Sequence, residues 1–109
     1  MHLVKVEKDQ EVLETLREAV AQLGVRDASI TLIGAVEECT VSVMAQDDAL
    51  NDLLRTYDQP FELTGTGEVV DGDVHVHVVL GGEDLVAAGH LHRAMVRTFF
   101  VRAYITPLG

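Results

Sequence analysis

The chain has 109 residues, 48% of them hydrophobic, and eighteen acidic against eight basic side chains give it a net charge of −10. Its length fits one domain, residues 1–109, with a core of modest size. The charge weighs against general affinity for nucleic acid, where Lys and Arg must displace counterions along the phosphates, and against an anionic membrane surface.

The N-terminal "HLVKVEK" alternates apolar and polar residues and reads as a first strand. Asp9 can cap a following helix, with Glu11 in its first turn. Val12, Leu13, Leu16, Ala19, Val20 and Leu23 then recur at three- and four-residue steps and form one apolar stripe. Gly24 stands where a left-handed C-terminal cap belongs. "ASITLIGAVEECTVSVMA" predicts one or two strands, with Gly34 as a bend or bulge between them. Asp47 and Asp48 can start a short helix through "ALNDLLRTY", closed off by Pro60. "PFELTGTGEVV" and "VHVHVVL" flank Asp71-Gly72-Asp73, a tight hairpin signal. A second turn, "GGED", leads into "LVAAGHLH", and "RAMVRTFFVRAYI" reads as a long final strand. The order predicts an α+β fold: a mainly antiparallel sheet packed on one long helix plus a short helix.

No apolar run approaches the roughly 20 residues that cross a bilayer, and the N-terminus lacks a secretory pattern, so a cytoplasmic location is expected. Cys39 is the only cysteine, which excludes an internal disulfide and a thiolate metal cluster. Glu37 and Glu38 beside it would raise its pKa, so it reads as a small apolar residue. The final strand is apolar on both faces, with Met95, Phe99, Val101 and Ile105 opposite Val96 and Phe100. Either a second layer of the same domain or an oligomer interface would cover the second face.

Four of the five histidines lie between His75 and His92. On a strand His75 and His77 share a face, while Val74, Val76, Val78 and Leu80 line the other. Paired imidazoles are costly in a core but suit a divalent metal, which takes one nitrogen from each ring. The Gly81-Gly82 turn brings "GHLH" back beside them, so the third ligand is His90 or His92, and Gly89 slightly favours His90 by permitting close backbone approach. With an open coordination position, a metal-activated water could act with Glu62 or Glu68 as base. No phosphate-cradling, dinucleotide or Ser/His/Asp pattern is present, and catalytic residues are otherwise unassigned. His2 lies far from the others in sequence.

"PFELTGTGEVVDGDVHVHVVLGGEDLVAAGHLHRAMV" resembles the core of the PPC domain, a module shared by plants and prokaryotes. Its members carry an H-x-H strand, a short acidic turn, a G-H-L segment and a long last strand. The resemblance covers nearly the whole chain. It implies an α+β fold assembled as a homotrimer through its sheets, and a zinc ion held by His75, His77 and His90, with His92 outside the pattern. Plant members join the domain to a basic AT-hook that grips the minor groove, and prokaryotic members are labelled DNA-binding by that association. This chain has no such hook, and "TFFVRAYI" lacks the acidic residue of many relatives' last strand.

The resulting expectation is a homotrimeric zinc-binding module for assembly or regulation, with itself and a further protein as partners. A small metal-dependent hydrolase or lyase using the same histidines is the alternative. Direct DNA binding would need an exposed patch such as Arg93, Arg97 and Arg102.

Overall fold

The computed structural model describes residues 1–109. Six strands and one helix follow in the order β1 (His2–Val6), α1 (Val12–Leu23), β2 (Ala28–Ala45), β3 (Asp48–Val70), β4 (Asp73–Gly81), β5 (Val86–Met95) and β6 (Val101–Pro107). All pairings are antiparallel. The sheet runs β1-β6-β2-β3-β4-β5, and β5 returns to pair with β2, so β2 to β5 form a closed circuit. Strand β2 divides its free edge between two partners. Residues 28–34 pair with β6 and residues 38–42 with β5, and the change falls at a bulge between Val36 and Glu38. A bulge bends its strand and increases the local twist, which lets one strand serve both neighbours.

The sheet buries one face. Val76, Val78 and Leu80 of β4 are buried while His75, His77 and Val79 between them are exposed, as period-two alternation requires. Val12, Leu13, Leu16 and Val20 of α1 pack onto that inner face, within one cluster of 25 buried residues. Gly24 takes the left-handed conformation at φ 67° and its N–H donates to Ala21 and Val20 carbonyls, ending the helix as its sequence predicts.

Several expectations are corrected. The helix is 12 residues long and has no short companion. The segment "ALNDLLRTY" is strand, because it forms a ladder with β2 from Val43↔Leu53 to Cys39↔Tyr57. Leu50, Leu53 and Leu54 have helical spacing but no core to face, and Leu50 is 96% exposed. Distant pairing overrides the local pattern. The cap of α1 is Glu11, whose carboxylate accepts from the Leu13 and Glu14 N–H groups, while Asp9 (φ 67°) turns its carboxylate to Arg97 at 3.1 Å.

The long final strand is two. Strand β5 stops at Met95, residues 96–100 cross the molecule, and β6 starts at Val101. Its apolar residues thus divide between the inner faces of separate strands: Ala94 in β5, and Val101, Ala103 and Ile105 in β6. Phe99 belongs to neither and is 65% exposed. Strand β2 continues through Gly34 without a break. No helix is long and apolar enough to cross a membrane.

Candidate metal centre

His75 and His77 project from the outer face of β4, and His90 on β5 stands directly opposite His77 in the ladder. The ring centroids lie 4.8 Å apart for His75–His77, 4.7 Å for His75–His90 and 5.7 Å for His77–His90. One nitrogen from each of these three rings lies within 4.8 Å of the others. Two neighbouring strands and a two-residue step are enough to build this triangle.

Gly89 is why β5 can approach so closely. A Cβ there would stand 2.5 Å from the Ser42 carbonyl oxygen, so only glycine lets β5 cross β2 at this height. His92, the next outward residue, is also near, with its ring 4.8 Å from that of His90. Its Nε2, however, is 2.8 Å from the Ser42 hydroxyl, on the β2 side. Of the two candidates the spacing left open, His90 stands in the triangle with His75 and His77, and His92 lies beside it against Ser42.

The triad lies between two shallow depressions. One of about 280 Å³ is lined by Thr66, Gly67, Glu68, His75 and His77. The other, about 460 Å³, holds Ser42, Met44 and Asp52 beside His77, His90 and His92. Neither is lined by Lys or Arg. Glu68 faces His75 across the β3–β4 ladder with its carboxylate 3.8 Å from Nδ1. Glu62 pairs with Gly81, four residues from His77 and so roughly 13 Å further along the strand. Of the two carboxylates singled out in the sequence, only Glu68 is beside the histidines. His2 lies on β1 at the other side of the sheet.

The His90 pKa is lowered, first by burial and then by repulsion from His75, His92 and His77, against a smaller opposing pull from Asp52. The neutral imidazole is the form that ligates a metal. Three convergent imidazoles, without a neighbouring Lys or Arg, fit a zinc-like ion.

The arginines do not form one patch. Arg97 donates to Glu38 at 2.8 and 3.0 Å and to Asp9 at 3.1 Å, and these bonds raise its pKa. Arg93 shares Glu38 at 3.7 Å, and Arg102 lies against the Phe100 ring at 4.1 Å. Cys39 is buried, and its thiol is pushed up to about 12, chiefly by burial and then by Glu11 rather than by Glu37 or Glu38. Ser42 and Asp52 carried no signal in the sequence, because Ser42 reaches the histidines through the β2–β5 pairing and Asp52 through the β2–β3 pairing beside it.

The Plants and Prokaryotes Conserved (PCC) domain profile matches residues 1–108. No curated protein matches the chain in sequence. Among solved structures the chain is similar to a metal-containing protein of Archaeoglobus fulgidus, at 25% identity and a TM-score of 0.85, over 99% of this chain and 79% of that one. It also resembles a plant- and prokaryote-conserved protein of Pyrococcus horikoshii (24% identity, TM-score 0.82, 99% and 78% covered). A third similar structure, provisionally named DNA-binding, comes from Bacteroides thetaiotaomicron (21%, TM-score 0.85, 98% and 78% covered).

Proposed function

We propose that this chain, which belongs to the Plants and Prokaryotes Conserved domain family, is a homotrimeric zinc-binding module serving assembly or regulation. His75, His77 and His90 are its metal ligands. The observation that carries this reading is the triangle of imidazole nitrogens within 4.8 Å. A similar fold in a protein named metal-containing supports it. Zinc held by three histidines keeps a fourth position for water, a substrate or a partner's side chain.

The chain's own residues do the rest. The β4–β5 ladder fixes the spacing of His77 and His90, Ser42 contacts His92, and the Glu68 carboxylate stands 3.8 Å from His75 Nδ1. The trimer is supported by exposed apolar side chains that a monomer leaves in water. Met44, Leu50 and Leu54 are 67, 96 and 62% exposed at the β2–β3 end of the sheet, and Val79 and Val86 are exposed on the outer face beside the histidines. Direct DNA binding is not part of the reading, since the net charge is −10 and Arg93 and Arg97 are matched by Glu38.

One observation favours a second reading, a metal-dependent hydrolase or lyase. The triad opens onto solvent on both sides, and Glu68, which lines one side, would be the nearby carboxylate to serve as base if a metal held by the histidines supplied an activated water.

Elemental analysis after dialysis against zinc decides the metal. One equivalent is expected in the wild type and in His92→Ala, and little in His77→Ala. Equal metal in the wild type and His77→Ala would overturn the reading.

A further inference from the structure

A separate cavity of about 790 Å³ opens at the far end of the outer face from the histidines. Its walls are Ile33, Pro60, Phe61, Phe99 and Phe100. The loop carrying Phe99 and Phe100 is held in place by Glu37, which accepts from the Arg97 N–H at 3.3 Å and from the Thr98 hydroxyl at 2.9 Å.

Charge is divided across this cavity. On one side stands Arg102 of β6. Arg26, Arg93 and Arg97 each pair with a carboxylate, whereas Arg102, like Arg17 and Arg55, has none within 4.0 Å, and of these three only Arg102 lines the cavity. Its guanidinium carbon lies 4.1 Å from the centre of the Phe100 ring, and none of the guanidinium N–H groups donates a hydrogen bond within the chain. On the other side are Glu62 and the turn residues Glu83 and Asp84, none of which has a basic partner within 4.0 Å.

The ladder sets their separation. Arg102 is opposite Ile33 on β2, and Glu62 of β3 is opposite Ala35, so the two charges stand two strands apart, roughly 10 Å across the sheet and about 7 Å along it. The long Arg102 stem and the Glu62 side chain span part of that gap over Ile33. A simple anion would meet the three carboxylates, and a simple cation would meet Arg102. A ligand carrying both charges on an apolar body matches both sides and the aromatic floor, and the volume lies in the range of small-molecule sites.

We propose that this cavity binds a free amino acid with an apolar side chain. Its carboxylate is taken by Arg102 in a forked pair, its ammonium by Glu62 with Glu83 and Asp84, and its side chain by Ile33, Phe99 and Phe100, with the buried Phe61 backing the wall from the core side. The site uses none of the histidines and stands independently of the metal.

The test is calorimetric titration of the full chain with L-phenylalanine and L-leucine, alongside phenylacetate, which lacks the amine, and phenethylamine, which lacks the carboxylate. Saturable binding of at least one amino acid is expected, weakened about tenfold or more for each single-charge analogue. In Arg102→Gln the preference for phenylalanine over phenethylamine should vanish. In Glu62→Gln the preference over phenylacetate should shrink. Both residues lie on the outer face away from the core, so circular dichroism should match the wild type. Absence of binding by the wild type up to about 10 mM of either amino acid, or wild-type discrimination retained in Arg102→Gln, would overturn the proposal.

Discussion

At Gly34 a methyl group has nowhere to go. A Cβ would overlap the Phe100 carbonyl oxygen and stand 2.6 Å from the Val101 Cα, both of them backbone atoms. That carbonyl also accepts from the Ala35 N–H at 2.9 Å, so it cannot withdraw without losing a hydrogen bond. Gly34→Ala should therefore cost about 3 kcal/mol, at the upper end of overpacking penalties. Gly81→Ala is the control, since nothing lies within 4 Å of a Cβ there. Urea unfolding of the two variants measures the difference. Equal midpoints would mean that the 96–100 crossing moves freely.

At the scale of elements, Glu11 ties the helix to the sheet. Its carboxylate accepts from Leu13 and Glu14 at 3.0 and 2.8 Å, and from the Ala94 N–H of β5 at 2.9 Å. Glu11→Ala removes a cap and leaves the partly buried Ala94 N–H without its acceptor, at a cost of about 2 kcal/mol. Glu11→Gln keeps an acceptor oxygen and should recover much of it, and thermal melts of both variants show whether it does. How the elements were read from sequence follows the same division between local and distant causes. Helix α1, its Gly24 cap, the Asp71-Gly72 hairpin and the H-x-H face depend on neighbours in sequence and were legible there. The β3 arm and the split between β5 and β6 were not, because residues 48–57 are strand only by pairing with β2, and Met95 ends β5 because the chain must cross to β1. At the site, His75, His77 and His90 lie on one hairpin, so the spacing could place them together but left His90 and His92 as alternatives. Ser42 and Asp52 come from strands whose approach no spacing encodes.

For the whole molecule the open question of assembly turns on area against charge. The chain is a slab of 38 × 35 × 16 Å, with its helix on one side only. Burying Leu50, Leu54, Val79 and Val86 between copies would contribute roughly 25 cal/mol per Å² of apolar area, while repulsion between acidic chains is screened beyond about 8 Å at physiological salt. Light scattering should give three times the 11.9 kDa of one chain, changing little as salt rises. Leu50→Ser with Leu54→Ser should lower that mass without unfolding, since both side chains stand largely in water in a single copy. A wild-type mass of 11.9 kDa at micromolar concentration would refute the trimer.

The pairing of β1 with β6 also leads to an expectation about the order in which the protein folds. His2 stands opposite Ile105, and Cys39 opposite Ala94, so both closures join segments far apart along the chain. Ordering long loops before any contact rewards them makes such topologies slow, on the scale of milliseconds to seconds. The β2–β3–β4–β5 run closes through short turns and can form first. Strand β1 must wait until β6 has docked on β2. Val6, fully buried on β1, should then contribute little to the folding barrier: Val6→Ala would speed unfolding in denaturant jumps and leave the refolding rate nearly unchanged.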